Sequence, residues 1–278
     1  MPTNRKLSRI NPFHGASPIQ FFAGESQEEA LSRIDYLRSR GGGWCLVTGP
    51  RGIGKSMLLQ ELTRRLDRRG EHCSSIDFLT GTAMDWLALL ADKWNVSIPR
   101  SASPADLCLS LEERLIGWGI MNQPVWILAD FPEPAPPELL RIWRWLRTSA
   151  RRHEVPLTVV VGCRDGEETS TFQPDADLSL ALWPWGVDEC ARFVTESLRA
   201  ANQDKAAFAT DAISALHERT EGVPGLLAKL CEFTWLAAQT ESITHLGADL
   251  IHAMADELFP GPSRVAAPYE SSAGYGAW

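Results

Sequence analysis

Residues 49–56 read GPRGIGKS, which matches the phosphate-binding pattern G-x-x-x-x-G-K-[ST] at every fixed position. Glycines in such a loop let backbone N–H groups curl around phosphate oxygens without a Cβ in the way. The helix that follows presents the positive end of its dipole to the same anion. The sequence therefore predicts a site for a nucleoside triphosphate. The alternative is a glycine-rich turn that carries a surface lysine.

The residue types in this loop predict ATP with Mg²⁺ as the ligand. Lys55 is expected to reach the β- and γ-phosphates. The hydroxyl of Ser56 is a hard oxygen ligand of the kind that Mg²⁺ takes in proteins. The residues predicted to bind the nucleotide are Gly49, Pro50, Arg51, Gly52, Ile53, Gly54, Lys55, Ser56 and Met57.

The residues on either side of the loop support the same interpretation. Trp44 to Val47 is a short apolar run, which indicates a buried strand that ends in the loop. An apolar stripe at helical spacing follows, and Gly70 ends it. Strand, loop and helix in this order are the context that the motif requires. The stripe consists of Leu58, Leu59, Leu62 and Leu66.

A second apolar run, Val125 to Ala129, ends at Asp130. A carboxylate at the tip of a buried strand fits the Walker B position, where it holds Mg²⁺ directly or through water. The alternative is an aspartate that only caps the loop leading to Pro132. We predict Ser56 and Asp130 as metal ligands.

Alternating strands and helices predict an α/β fold, in which helices sandwich a parallel sheet. Beyond Pro184 the pattern predicts only helices, with Thr210 as one N-cap and with Leu226, Leu227, Leu230 and Phe233 facing inward. The predicted strands are 44–47, 73–78, 125–129 and 157–161, and the predicted helices are 27–39, 83–94, 104–117, 138–152 and 187–200, with three more up to Pro260. The predicted domains are an irregular segment at 1–24, a nucleotide-binding domain at 25–184, a helical domain at 185–260 and a flexible tail at 261–278.

Composition narrows the class of protein further. The 278 residues are 44% hydrophobic and carry a net charge of −8, so a whole-chain electrostatic grip on nucleic acid is not indicated. The six cysteines form no CxxC pair, which argues against a zinc site or a disulfide framework. The sequence shows no secretory signal and no apolar run long enough for a membrane span. The expected compartment is the cytoplasm.

Two arginine clusters remain after these assignments. Each can contact DNA phosphates or a neighbouring subunit, and the alternative is a solvated helix face that needs no partner. One cluster is Arg141, Arg144, Arg147, Arg151 and Arg152, and the other is Arg64, Arg65, Arg68 and Arg69.

The chain resembles the AAA+ ATPases, because a P-loop, a Walker B strand and a helical lid occur in that order. The likeness is greatest to the ExeA-like group, the ATPases of type II secretion and of transposition helpers, and it covers about residues 11–259. Asn11-Pro12-Phe13 resembles the opening motif of that group, which in such proteins lies close to the adenine. The stretch Ala212 to Gln239 resembles the last helices of the lid.

The chain departs from the family at several catalytic positions. Phe131 follows Asp130 where the family has a water-polarising Glu. Glu133 is the nearest carboxylate, and it is a substitute base if the proline loop folds back, or else an ordinary loop residue. Gly225 occupies the position of the sensor 2 Arg, and the segment 171–182 contains no arginine that could serve as a finger. The sensor 1 position falls near Cys163 or Arg164, and Arg164 is a substitute finger unless it is an ordinary loop residue. The predicted catalytic residues are Lys55, Asp130 and Glu133.

Three functions follow as hypotheses. The first is an ATP-hydrolysing switch in which ATP binds between the sheet domain and the lid, and a protein partner or second copy reads the change. The second is a nucleotide-binding scaffold with little hydrolysis, suggested by the missing Glu and arginines. The third is a small-molecule kinase, against which the purely helical C-terminal part counts.

Overall fold

The strand before the P-loop lies inside a five-stranded parallel sheet in the computed structural model. The strands follow the order β2-β3-β4-β1-β5 across the sheet. They are β1 (Gly43–Thr48), β2 (His72–Asp77), β3 (Val125–Asp130), β4 (Leu157–Gly162) and β5 (Leu178–Ala181). The structure describes residues 11–13, 21–77, 82–97, 102–130, 137–164, 175–203, 207–241, 243 and 245–259.

Helices cover both faces of this sheet because successive strand residues point to opposite sides. Trp44 and Leu46 of β1 join the core on one face, and Cys45 and Val47 join the core on the other. The first core also contains α3 (Ala83–Lys93), α4 (Pro104–Ile120) and α5 (Pro137–Arg152), and the second contains α1 (Glu25–Ser39) and α2 (Lys55–Arg69). The predicted fold class is confirmed.

The order of the strands places three strand ends side by side. Because β4 lies between β1 and β3, Val47 pairs with Gly162, and Gly162 pairs with Asp130. The carboxyl ends of parallel strands share one edge of the sheet, so the P-loop and Asp130 meet there. The sequence prediction missed β5, which has only four residues and lies at the edge of the sheet, where only Leu180 is buried.

The described residues between Trp185 and Phe259 form a second compact unit together with residues 11–13. The prediction of helices alone is wrong here, because a parallel pair of two-residue strands also occurs; strands this short leave no periodic signal. The helices are α6 (Val187–Ala200), α7 (Thr210–Thr220), α8 (Pro224–Glu241) and α9 (Ala248–Leu258), and the strands are β6 (Ala207–Phe208) and β7 (His245–Leu246).

Two local predictions in this unit are also wrong. Thr210 is the first helical residue of α7, and Ala209 occupies the N-cap position without a side-chain cap. Such one-residue shifts are usual, since a helix boundary is only weakly encoded. Phe233 of α8 is 42% exposed, whereas Leu227 and Leu230 are buried as predicted. The apolar stripe of α8 is therefore narrower than its composition indicates.

Phe13 is a core residue of this second unit. Its ring lies 5.7 Å from that of Phe208 and 6.2 Å from that of Trp235, measured between centroids. Asn11 secures the segment, because its side chain donates to the carbonyl of Glu232 and accepts from the backbone N–H of Phe13. The opening motif identified in the sequence thus has a structural explanation, the packing of Phe13.

Candidate nucleotide site

The P-loop has the backbone conformation that its glycines allow. Gly49, Gly52 and Gly54 have φ angles of +148°, +84° and +104°, which side chains disfavour. A Cβ at Gly49 would also lie 2.9 Å from the carbonyl oxygen of Leu182. The side chain of Ile53 is fully buried in the core beside α1 and α2, so it anchors the loop.

The amino end of α2 is built to face an anion. Its N-cap residue, Gly54, provides no side-chain cap, and its first turn contains no acid. By contrast, α3 and α4 begin with capping boxes, in which Thr82 and Ser103 accept hydrogen bonds from the first turn. Lys55 is placed at the positive end of the α2 dipole, which is unfavourable for a cation unless an anion binds there. This arrangement fits a phosphate group.

Lys55 folds over the loop that it follows. Its ammonium nitrogen donates hydrogen bonds to the carbonyl oxygens of Gly49, at 2.6 Å, and Pro50, at 3.0 Å. The charge therefore lies above the glycine-rich turn, where the motif places the phosphates.

The two predicted metal ligands are in direct contact. The hydroxyl of Ser56, at the start of α2, donates a hydrogen bond to the carboxylate of Asp130, at the end of β3. Gly162 leaves room for this pair, since a Cβ there would lie 3.3 Å from an Asp130 oxygen. A hydroxyl and a carboxylate are hard oxygen donors, and Mg²⁺ is usually held by one or two protein groups, phosphates and water. The donor set fits Mg²⁺.

Sequence reasoning missed a polar pair on α1 that supports the loop. Gln27 is 1% exposed, and its amide donates a hydrogen bond to the carbonyl oxygen of Ile53 at 3.2 Å. Ser26, also buried, donates to the Gln27 side-chain oxygen at 3.2 Å. The signal was available, because Gln27 occupies the same helical face as the buried Ala30 and Leu31. A glutamine in an apolar stripe indicates a specific buried hydrogen bond.

Four more positions were considered for the hydrolysis step, namely Glu133, Cys163, Arg164 and Gly225. Glu133 lies outside the described residues. Cys163 directly follows β4, but its side chain is 1% exposed and belongs to the apolar core. Arg164 is exposed. Gly225 is an exposed residue in the first turn of α8.

Ion pairs engage much of the arginine cluster on α2. Arg64 and Arg65 bind Glu61 at 3.2 and 2.9 Å, and Arg69 binds Asp35 of α1 at 2.7 Å. Most of this cluster therefore stabilises its own surroundings, as the solvated-face alternative predicts.

None of the six cysteines forms a disulfide. Burial raises the pKa of Cys45 to about 12. The described part of the chain contains no group of three or more potential His, Cys, Asp or Glu metal ligands. Among the same residues, no helix is long and apolar enough to cross a membrane.

One curated protein is similar to this chain in sequence. No family model matches the chain. It is 24% identical over 230 residues to general secretion pathway protein A of Aeromonas hydrophila, an alignment that covers 80% of this chain and 42% of that protein. The chain thus spans less than half the length of this relative.

Two solved structures have similar folds. The Cdc6p structure from Pyrobaculum aerophilum matches with a TM-score of 0.70 and 16% identity, covering 93% of this chain and 73% of that one. The Thermotoga maritima RuvB Holliday junction branch migration motor matches with a TM-score of 0.60 and 15% identity, covering 86% and 70%. The likeness to general secretion pathway protein A and the similar folds of these two structures confirm the resemblance noted from the sequence.

Proposed function

We propose that this chain, which has the AAA+ P-loop ATPase fold and resembles the ExeA-like group, binds ATP with Mg²⁺ and hydrolyses it to drive a conformational or assembly switch. The hydrogen bond between Ser56 and Asp130 carries this proposal. These residues are 74 positions apart in sequence, and the P-loop motif does not itself require them to meet. Their contact supports a metal site beside the phosphate-binding loop.

Each group at the site has a distinct part in binding. The backbone N–H groups of the loop and of the first α2 turn would hold the phosphate oxygens, and Lys55 would pair with the β- and γ-phosphates. Ser56 and Asp130 would hold Mg²⁺, which neutralises charge on the phosphates when it is bound. Gln27 would keep the loop in position through the Ile53 carbonyl.

The groups that would activate the attacking water depart from the family pattern, whereas the phosphate-binding groups match it. Phe131 replaces the family's Glu after Asp130, and the buried Cys163 side chain cannot reach an attacking water. An arginine finger is worth about 10³- to 10⁵-fold in rate in GTPases. We therefore expect slow intrinsic turnover that rises when a second copy or a protein partner supplies a group. Glu133 and Arg164 are the substitutes within this chain.

The proposed partners are ATP and a protein, either a second copy or another chain. General secretion and DNA branch migration are named for relatives, and neither is assigned to this chain. The proposed compartment is the cytoplasm, which six cysteines outside disulfides support.

Phosphate release from Mg·ATP over a wide range of protein concentration tests the proposal. The wild type is expected to turn over ATP, with a rate per chain that rises with concentration. Lys55→Ala should abolish it, because the loop then lacks its phosphate-pairing cation. Lys93→Ala, which removes an exposed lysine from the last turn of α3, is the matched control and should leave the rate unchanged.

Two results would contradict parts of this function. Equal turnover by Lys55→Ala and wild type would exclude the P-loop as the site of hydrolysis. ATP binding with no turnover above that of Lys55→Ala at any concentration would favour the nucleotide-binding scaffold instead.

A further inference from the structure

A pocket of about 610 Å³ opens at the amino-terminal edge of the five-stranded sheet, at the end of the strands opposite to the P-loop. Its walls come from the second half of α1, from α5 and from the starts of β1, β4 and β5. The length of β1 separates the two edges by about 16 Å. The pocket shares no residue with the site proposed above. Its cationic and aromatic lining residues are Arg33, Tyr36, Arg40, Trp44, Arg147 and Arg151.

The pocket carries more positive than negative charge. Four arginines line it, and Asp177 is the one acidic residue among its lining. Asp177 is engaged by Arg147 at 2.5 Å and by Arg151 at 3.9 Å, and Arg33 pairs with Glu29 outside the pocket. Arg40 forms no ion pair with any residue that the structure describes. The chain as a whole has a net charge of −8, so this local excess of positive charge differs from the average surface.

Aromatic rings accompany the guanidinium groups. Tyr36 is 63% exposed, and the guanidinium of Arg40 lies 5.9 Å from the centre of its ring. Trp44 is buried in the pocket lining, with the guanidinium of Arg147 at 5.7 Å from its ring. Exposed tyrosine and arginine together offer a flat surface for stacking and a fork of donors for an anion.

Three interpretations of this pocket can be compared: a solvated helix face, a site for a long nucleic acid, and a site for a small anionic ligand. A solvated helix face needs no cavity and no convergence, yet these arginines come from α1, from the C-cap residue of α1 and from α5, which is far away in sequence. A long nucleic acid would extend beyond the pocket over an acidic chain, which would repel it. Pockets that bind small-molecule ligands have volumes of about 300 to 1,000 Å³, and this one falls in that range.

We propose that this pocket binds a second nucleotide, with its phosphates on Arg40 and Arg151 and its base against Tyr36. Guanidinium groups recognise phosphates through paired N–H donors. Arg151 is 70% exposed and Arg40 is also exposed, so both can turn toward a ligand. The site goes beyond the proposed ATPase, since it needs neither the P-loop nor Mg²⁺.

Titration calorimetry with ADP in Lys55→Ala protein without Mg²⁺ tests this assignment, because the P-loop site is then disabled. One ADP per chain is expected to bind. Arg40→Glu and Arg151→Glu should each weaken the affinity at least about tenfold, as loss of a charge-assisted hydrogen bond does. Arg141→Glu, an exposed residue of α5 outside the pocket, is the matched control and should leave the affinity unchanged. Circular dichroism would verify that all variants fold.

Pyrophosphate and a 20-nucleotide DNA strand serve as the other probes. Weaker binding of pyrophosphate than of ADP is expected, and Tyr36→Ala should remove that difference. Absent ADP binding, or binding that Arg40→Glu leaves intact, would overturn the proposal. Equal affinity for pyrophosphate would overturn the nucleotide assignment, and tighter DNA binding that the same variants abolish would assign the pocket to nucleic acid. Failure of the P-loop proposal is distinct, because wild type and Lys55→Ala would then bind Mg·ATP equally.

Discussion

The two edges of the five-stranded sheet both gather positive charge, but they do so with different groups. At the carboxyl edge the charge comes from backbone N–H groups, a helix dipole and Lys55, all within one loop and one helix turn. At the amino edge it comes from long arginine side chains on α1 and α5. The first arrangement is held by the backbone, and the second depends on tertiary packing.

This difference predicts how the two edges respond to substitution. A backbone-built site loses function when one chemical group or one glycine changes, because nothing else can take its place. A site built from exposed side chains should lose affinity in steps as single charges are removed. The two edges should also be separable, so that a change at one leaves the other working.

The largest expected effect is at the carboxyl edge. Asp130→Asn keeps the size of the side chain but weakens the proposed metal ligand, so we expect turnover of ATP to fall at least about a hundredfold. Binding of ATP should change only a few-fold, because the P-loop is intact. Steady-state phosphate release and nucleotide titration would measure the two quantities. Asp92→Asn, an exposed residue of α3, is the control, and an unchanged rate in Asp130→Asn would remove Asp130 from the site.

The carboxyl edge was predictable from sequence because its information is local. The eight-residue motif specifies the glycine conformations, the lysine and the hydroxyl together, and a strand ending in Asp130 completes the metal pair. The amino edge was not predictable, since Arg33 and Arg151 line one pocket only after α1 and α5 have packed on the sheet. The α5 arginines were visible in the sequence, but their convergence with Tyr36 was not. β5 was missed because this short edge strand buries only Leu180, which leaves no periodic pattern in the sequence.

The second largest expected effect is on the free energy of unfolding, when glycines at the amino edge of the sheet are substituted. A Cβ at Gly42 would lie 2.4 Å from the carbonyl oxygen of Leu157, and φ there is +96°. Gly42→Ala is therefore expected to lower the free energy of unfolding by about 2 to 3 kcal/mol. Gly41 has a similar φ of +93° but open space around it, so Gly41→Ala should cost about 1 kcal/mol. Urea denaturation would measure both values.

The comparison of Gly42→Ala with Gly41→Ala separates a steric clash from backbone strain. ATP turnover per folded molecule should be preserved in both variants, since neither glycine lies at the carboxyl edge. Equal stability of the two variants would show that the approach of β4 does not constrain Gly42. A large loss of turnover would break the expected independence of the two edges.

A smaller effect is expected at Gln27, the residue through which α1 supports the P-loop. Gln27→Leu keeps the volume but removes the donor to the Ile53 carbonyl, and a buried group deprived of its partner costs about 1 to 3 kcal/mol. We expect about a tenfold loss of ATP affinity. Ser26→Ala, which removes a bond to the Gln27 side chain, should give a weaker loss of the same kind. Unchanged ATP affinity in Gln27→Leu, together with lower stability, would mean that Gln27 only packs.

The smallest expected effect is on the ion pair between α1 and α2. This pair bears on both edges of the sheet, because α1 contains Gln27 and also forms one wall of the pocket at the amino edge. Arg69 donates two hydrogen bonds to the Asp35 carboxylate, at 2.7 and 3.1 Å, and they hold the pKa of Asp35 below its ordinary value of 3.8. A lowered pKa means that the carboxylate stabilises the fold at pH values above 3.8, and that this contribution is lost as the pH falls through the lowered value. Both side chains are more than a third exposed, so the pair should contribute less than about 1 kcal/mol at pH 7. The difference in free energy of unfolding between wild type and Asp35→Asn should therefore be small at pH 7, shrink below pH 3.8 and disappear in about 1 M salt. A difference in free energy of unfolding that persists in acid and in high salt would mean that Asp35 acts through packing. The contact between α1 and α2 would then not be electrostatic.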